Sequence, residues 1–169
     1  MNQVIKVYKQ EVPAMRFIGK KYNGEEGYAH WGDFFANGWF DVIENAMGGV
    51  EKITDIWKDG GGYVGLEFRK EGVLLEYWIG MFVPTNTEIP DGFECYDFTE
   101  GNIGVCWNYG KEDEVHDVGE NWKYIMDEGM EFWTDERGAV AQFENGLCPR
   151  FTTSDEKGNV ILDYCFYVK

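Results

Sequence analysis

Two glutamates stand next to aromatic residues in short segments typical of β-strands, and they are the side chains best suited to chemistry. Glu67 precedes Phe68, and Glu144 follows Phe143. A carboxylate among aromatic rings can pair with the cation of a ligand, assisted by cation–π contact with the ring faces. The same carboxylate, with its pKa raised by desolvation, can act as a general acid or base. The residues leave three interpretations open: a cation-binding site, a hydrolytic site, or carboxylates that face water.

A surplus of aromatic residues accompanies these glutamates, because the chain of 169 residues contains 7 Trp, 10 Tyr and 12 Phe. Aromatic side chains are large, stiff and apolar, so they suit both a core and a pocket in which flat ligands stack. Phe35 and Trp39 fall on the apolar side of a predicted helix, where a place in the core is the competing interpretation. The candidate walls of a site are Phe35, Trp39, Tyr77, Trp107 and Tyr164.

Other kinds of site have little support in the sequence. His30 and His116 are far apart and neither belongs to a motif with metal-ligand spacing, so we predict no metal site. The glycines at 60–62 precede a strand, whereas a phosphate-binding loop follows a strand and opens a helix. Cys106 has no base nearby in the sequence for covalent catalysis. The sequence therefore predicts no cofactor.

The charge of the chain bears on its partners. The formal net charge is −16 and the pI is near 4.4, which repels nucleic acids and anionic membranes and concentrates cations; solubility alone is the competing explanation. The four cysteines (95, 106, 148 and 165) are widely spaced, which favours free thiols in a reducing cytoplasm. No apolar run approaches the roughly 18 residues of a membrane span. We therefore expect a cytoplasmic protein that binds neither nucleic acid nor membrane directly.

The segments that are predicted to position these residues occur twice in the sequence. Residues 73–77 (VLLEY) and 160–164 (VILDY) are nearly identical and lie 87 residues apart. The same offset sets Trp78 against Cys165 and Glu67 against Ser154. Two copies with unlike residues predict a groove at their junction with one asymmetric pocket.

The order of predicted elements repeats as well. Apolar residues at helical spacing predict a helix over 31–46, ended by the glycines at 48–49, and a second helix over 115–133. Alternating segments predict strands on both sides of each helix, with Pro13 separating two β segments or bending one. Each half thus reads as strand, helix, strand, strand. The sequence predicts one α+β domain over 1–169, made of two repeats at about 1–85 and 92–169.

The chain resembles the GyrI-like small-molecule-binding domains, which include effector-binding domains of multidrug-sensing transcription regulators and effector-binding proteins of integron cassettes. The resemblance covers essentially all of the chain. It is carried by residues 11–16 (EVPAMR), the Trp-containing first helix, Gly65 before Glu67, residues 77–80 (YWIG), Phe143–Glu144 and the closing residues 167–169 (YVK).

The resemblance implies a fold and a ligand. The fold would have pseudo-two-fold symmetry, with an antiparallel sheet, both helices packed on one side and a cleft at the junction. Members of the family bind bulky, flat, often cationic molecules through aromatic walls and a buried glutamate, which Glu144 matches best, with Glu67 as the alternative. Some relatives instead hydrolyse cyclopropane-bearing genotoxins with carboxylates and a tyrosine, and the fold has been tied to inhibition of DNA gyrase.

These observations give a leading expectation and two alternatives. We expect a stand-alone protein that binds an aromatic, cationic small molecule for sensing or sequestration, and that is a binding protein rather than an enzyme. The alternatives are a hydrolase that uses a glutamate and a tyrosine in the same cleft, and a protein-interaction inhibitor such as one of gyrase. No helix-turn-helix is predicted before the strand that begins at residue 4, so we do not expect a complete DNA-binding regulator.

Overall fold

The strands of this chain form a single antiparallel sheet. The structure, a computed structural model, describes residues 3–117, 119–146 and 149–169. Within them the sheet has eight strands in the order β1-β6-β8-β7-β3-β4-β2-β5. The strands are β1 (Gln3–Val12), β2 (Met15–Asn23), β3 (Tyr63–Lys70), β4 (Val73–Val83), β5 (Glu94–Phe98), β6 (Gly101–Gly110), β7 (Val140–Gly146) and β8 (Val160–Val168).

Short helices fill the connections. Between β2 and β3 a 3₁₀ segment (Gly24–His30) leads into three α-helices, and between β6 and β7 a 3₁₀ segment (Val115–Asp117) precedes a fourth. A fifth helix lies between β7 and β8. The helices are α1 (Trp31–Ala36), α2 (Trp39–Met47), α3 (Glu51–Thr54), α4 (Asn121–Asp127) and α5 (Pro149–Thr152).

The strand order has two-fold symmetry. Exchanging β1–β4 with β5–β8 reproduces the same order read backwards, so the axis lies between β3 and β7. The predicted α+β class with pseudo-two-fold symmetry is confirmed. Each half places two strands, rather than one, before its helical segment: β1 and β2 with Pro13 between them in the first half, and β5 and β6 in the second. The first strand of each half pairs with the other half, β1 with β6 and β5 with β2. The limits of the two repeats stay a prediction.

The register shows which residues are equivalent. Glu67 on β3 lies opposite Tyr77 on β4, and Glu144 on β7 lies opposite Tyr164 on β8. Tyr77 and Tyr164 keep the offset of 87 residues, whereas Glu67 and Glu144 are 77 apart. The equivalence of Glu67 with Ser154 was therefore wrong. The connection between β7 and β8 contains α5 and a turn, whereas a tight hairpin joins β3 to β4.

Both helical segments pack on one face of the sheet, as the resemblance implied. A cross-strand row of this face consists of Tyr77, Glu67, Gln142, Phe166 and Gly104. At one end of the row, Trp31 of α1 donates a hydrogen bond to the Tyr77 hydroxyl. At the other end, a Cβ on Gly104 would lie 2.8 Å from Cδ1 of Ile125 on α4. This row of residues therefore faces the space between α1 and α4.

The opposite face holds the main aromatic core. Phe82 packs edge-on against Phe17 and Phe143, with ring centroids 5.1 and 5.0 Å apart. Phe98 on the edge strand β5 stacks on Tyr167 of β8 at 4.3 Å, although four strands lie between β5 and β8 in the sheet order. The sheet is therefore strongly curved around this core, which large burial of aromatic area stabilises.

The two predicted helices are shorter than the sequence suggested. The helix predicted over 31–46 is divided into α1 and α2 by Gly38, whose φ of 65° lies in the left-handed region. The helix predicted over 115–133 is interrupted at Glu120, with φ 51°, and ends before Gly129, with φ 79°. Val118, which belonged to that pattern, lies outside the described residues. Near these breaks, a side chain that follows the apolar spacing of the sequence need not point into the core.

The sequence predicted free thiols and no membrane span. Cys95 and Cys106 are free thiols, and Cys148 lies outside the described residues. Burial raises the pKa of Cys106 to about 12, so this thiol is not a nucleophile at neutral pH. In the part of the chain that the structure describes, no helix has both the length and the apolar character needed to cross a bilayer.

Candidate functional site

A cavity of about 400 Å³ opens between α1 and the centre of the sheet. We call it the aromatic cavity, because its lining includes Trp31, Phe35, Tyr63, Tyr77 and Phe151, together with Glu144. Its size is typical of small-molecule sites, which are mostly apolar with a few placed polar groups. Phe35 is 61% exposed, so this ring stands at the mouth rather than in the core. The arrangement can hold a flat apolar ligand beside one carboxylate.

The absence of a side chain at Gly65 shapes this cavity. A Cβ there would overlap the Tyr77 hydroxyl and lie 3.0 Å from Tyr77 Cζ and 3.3 Å from Trp31 Cζ2. Gly65 pairs with Glu144, whereas Glu67 pairs with Gln142, so Gly65 and Gln142 are equivalent in the two halves. Gln142 fills in one half the space that Gly65 leaves open in the other. The two halves of the protein therefore differ at the position where the aromatic cavity forms.

Tyr77 presents a hydroxyl to the aromatic cavity. Trp31 Nε1 donates to this hydroxyl at 2.8 Å, which fixes the phenol and leaves its proton available for donation. Burial raises the pKa of Tyr77 well above its usual value, the Trp31 hydrogen bond opposes this, and the charge of Glu144 adds to it. Tyr77 therefore stays protonated at neutral pH and acts as a hydrogen-bond donor.

Glu144 supplies the negative charge of the site. Its side chain is 32% exposed, and its Oε2 lies 2.8 Å from Nδ1 of His116. His116 also contacts the ring of Phe151, with centroids 6.0 Å apart. Glu144 therefore places a carboxylate at the wall of the aromatic cavity, where a ligand cation can reach it.

A second cavity of about 370 Å³ lies on the other side of Glu144 and His116, which line both spaces. We call it the polar cavity, because its other lining residues include Glu67, Glu120, Asn121, Gln142 and Tyr164. It faces α4, as the aromatic cavity faces α1. The two cavities are thus the two halves of one pseudo-symmetric cleft.

Glu67 is neutralised within the protein. Its Oε2 accepts hydrogen bonds from Arg69 Nε at 2.7 Å and Gln142 Nε2 at 3.1 Å, and its Oε1 accepts one from Tyr28 at 2.9 Å. Burial disfavours the charged Arg69, but the bonds to Glu67 outweigh this and raise the pKa of Arg69. Glu67 is buried and saturated with donors, which leaves no place for a ligand cation.

Five of the predicted site residues lie at the cleft. Phe35, Tyr77 and Glu144 line the aromatic cavity, and Glu67 and Tyr164 line the polar cavity. Their function in binding stays a prediction. The division between two cavities was not foreseen, because the sequence places all five near one junction without showing which half each faces.

Trp39 and Trp107 are not brought to either cavity. Trp39 packs against Phe34 and has the Lys20 ammonium 4.4 Å from its ring centroid. Trp107 lies on the opposite face of the sheet from Tyr164, since its neighbour Cys106 is the residue that pairs with Tyr164. Both tryptophans make packing contacts away from the two cavities, and their assignment as ligand walls stays a prediction that this placement does not support.

Sequence reasoning missed other lining residues. Trp31, Tyr63 and Phe151 were assigned to helix or strand, and His116 was considered only as a metal ligand. Gln142 could have been found by aligning the halves on Glu67 and Glu144, two Glu residues that both lie opposite a Tyr. Among the described residues, no three His, Cys, Asp or Glu side chains converge as metal ligands.

Comparison with known proteins gives the fold. No family model matches the chain, and no curated protein matches it. A Staphylococcus aureus protein assigned to bacterial transcription regulation is 15% identical with a TM-score of 0.62, covering 98% of this chain and 99% of that one. SAV2435 bound to tetraphenylphosphonium is 16% identical with a TM-score of 0.66, covering 98% and 94%. A Listeria innocua hydrolase is 15% identical with a TM-score of 0.51, covering 97% and 92%.

At these identities the similarity concerns the fold. The chain shares the fold of these proteins over nearly its full length, in agreement with the fold that the resemblance implied. Proteins with this fold include small-molecule-binding and regulator-related domains.

Proposed function

We propose that the protein binds one bulky aromatic cation in the aromatic cavity, with Glu144 as its counter-charge. The contrast between two equivalent glutamates supports this most directly. Arg69 neutralises Glu67 in one half, whereas Glu144 opens beside aromatic rings with the His116 ring as its hydrogen-bond partner. A cation placed there gains Coulomb attraction and cation–π contacts of about 0.5–2 kcal/mol each.

The surroundings support the same function. A net charge of −16 raises the local concentration of cations and opposes nucleic-acid binding. SAV2435, which shares the fold, was solved with tetraphenylphosphonium, an aromatic cation. Free thiols favour a cytoplasmic location. The binding serves sensing or sequestration of a lipophilic cation, as in resistance to drugs or toxins.

The test is calorimetric titration with tetraphenylphosphonium. We expect saturable binding, weakened about tenfold or more by Glu144→Gln because the counter-charge is lost. Glu136→Gln is the matched control, since Glu136 is exposed and lies outside both cavities. Absence of binding, or equal effects of the two substitutions, would contradict the proposal.

Hydrolysis is a second candidate, favoured by the Tyr77 hydroxyl and Glu144 in one cavity. Glu144 would take a proton from the attacking water while the protonated Tyr77 donates to the leaving group. Product formation from a strained electrophile, lost in Tyr77→Phe, would support this function. Ligand binding without product formation would contradict hydrolysis and agree with a binding function.

A further inference from the structure

We infer that the ligand has two parts: a flat aromatic cation in the aromatic cavity and a neutral, hydroxyl-bearing arm in the polar cavity. This rests on the proposed function, because the first part is the cation that Glu144 holds. It adds a second subsite, built around Tyr164 and Gln142, and narrows the ligand class.

The two cavities meet at one boundary. Glu144 and His116 line both of them, so a ligand held beside Glu144 is already adjacent to the polar cavity. The two spaces, of about 400 and 370 Å³, together stay within the size range of cavities that hold one drug-sized molecule. A molecule that fills only the aromatic cavity leaves the second space to water.

The amide of Gln142 is held in one orientation. Its Nε2 donates to Glu67 Oε2 at 3.1 Å and to the Tyr164 hydroxyl at 2.8 Å. Because an ionised carboxylate is an acceptor only, the NH₂ group must face Glu67. The Gln142 carbonyl oxygen therefore points away, and it has no hydrogen-bond partner among residues 3–117, 119–146 and 149–169. It is an acceptor available to a ligand.

Tyr164 supplies the matching donor. Its oxygen accepts the Gln142 hydrogen bond, and its proton has no acceptor in the described part of the chain. Burial raises the pKa of Tyr164, with added effects of the Glu67 and Glu144 charges, so the phenol keeps its proton. A ligand hydroxyl can accept from Tyr164 and donate to Gln142 Oε1 at the same time, which satisfies both groups.

The charges of the polar cavity favour a neutral arm. Glu67 is paired with Arg69 at 2.7 Å, and Glu120 with Lys123 at 2.8 Å. The remaining carboxylate of the lining, Glu144, is the counter-charge of the aromatic part. A second cation would therefore meet balanced charge, whereas a hydroxyl meets a donor and an acceptor.

The experiment compares two probes of nearly equal shape: 3-hydroxypropyl(triphenyl)phosphonium and butyl(triphenyl)phosphonium. Calorimetric titration of the unmodified protein should give an affinity about three- to tenfold higher for the hydroxylated probe, although it is less lipophilic, because two neutral hydrogen bonds form. Tyr164→Phe should remove this preference, and Gln142→Met should reduce it. Tyr8→Phe should retain it, since the Tyr8 hydroxyl accepts from Trp107 outside both cavities.

The outcomes separate the two proposals. Equal affinity of both probes, or an unchanged preference in both Tyr164→Phe and Gln142→Met, overturns the polar subsite and leaves cation binding intact. Failure of both probes to bind overturns the proposed function and this inference with it. Thermal unfolding of each variant identifies one that has lost its fold, and the other substitution then decides.

Discussion

Arg69 and Gly146 occupy equivalent positions on β3 and β7. Arg69 lies two residues after Glu67 and pairs with Val140. Gly146 lies two residues after Glu144 and pairs with Tyr63. Arg69 reaches back to Glu67 at 2.7 Å, whereas Gly146 has no side chain and lines the aromatic cavity. This difference makes one glutamate an internal ion-pair partner and leaves the other to the cleft.

Gly146→Arg should therefore convert the second half into a copy of the first. The new guanidinium would pair with Glu144 and lower the affinity for tetraphenylphosphonium about tenfold or more. A Cβ at Gly146 would lie 3.4 Å from the Tyr63 carbonyl oxygen, so the substitution fits. Gly146→Met is the control for bulk without charge, and calorimetric titration is the measurement. Equal losses in both variants would show that volume, not charge, matters at Gly146.

Gly65→Ala should close the aromatic cavity. The added methyl group overlaps the Tyr77 hydroxyl and crowds Trp31 Cζ2 at 3.3 Å, so the Trp31–Tyr77 hydrogen bond must shift. We expect loss of ligand binding and a decrease of about 1–3 kcal/mol in the free energy of unfolding, measured by denaturant titration. Gly32→Ala in α1 is the control, because nothing lies within 4 Å of its Cβ. Normal binding by Gly65→Ala would contradict the assigned cavity.

Phe34 and Phe35 are neighbours in α1 with opposite environments. Phe34 is fully buried and Phe35 is 61% exposed. Phe34→Ala should lower the free energy of unfolding by about 3–5 kcal/mol. Phe35→Ala should lower it by about 1 kcal/mol or less while weakening ligand binding, because the ring stands at the cavity mouth. Denaturant unfolding and titration with tetraphenylphosphonium measure the two effects; unchanged ligand affinity in Phe35→Ala would remove this ring from the site.

Two partly desolvated tyrosines should make the fold sensitive to alkali. Burial, with a further contribution from Glu67, raises the pKa of Tyr28 from 10.0 to about 12, and burial likewise raises that of Tyr8 to about 12. The folded protein holds these protons more tightly than the unfolded chain, so their contribution to stability is complete below pH 10 and is lost as the pH rises toward 12. Denaturant unfolding across this range measures the loss. The double variant Tyr8→Phe, Tyr28→Phe should show a shallower pH dependence, and an identical one would contradict the assignment.

The elements that follow simple periodicity were predictable. The strands containing Tyr77 and Tyr164 and their relation across the two halves follow from the repeated segment of the sequence. The broken helices did not follow, because Gly38 and Glu120 adopt positive φ values that the apolar spacing does not reveal. Periodicity places Phe35 on the apolar stripe, but the break at Gly38 leaves this ring exposed.

The residue types of the candidate site were predictable, but the side chains that interact with them were not. An acid among aromatic residues pointed to Glu144 and Glu67. Their equivalence was missed because they are 77 residues apart, whereas the repeated segment has an offset of 87 residues. The neutralisation of Glu67 depends on Arg69 two residues along the same strand and on Gln142 from the other half. Such pairing needs the register between β3 and β7. The offset between Tyr77 and Tyr164 does not give that register, because the connection from β7 to β8 is longer than the hairpin from β3 to β4.

The exchange of first strands between the halves has a consequence for how such a cleft can change. Because β1 completes the second half and β5 the first, each half alone would lack an edge strand, and its natural alternative would be a dimer of identical chains. In that dimer a substitution beside one glutamate would appear beside both, so every ligand contact would be doubled. Joining the halves in one chain removes this obligation, so that Arg69 and Gly146 can differ at equivalent positions.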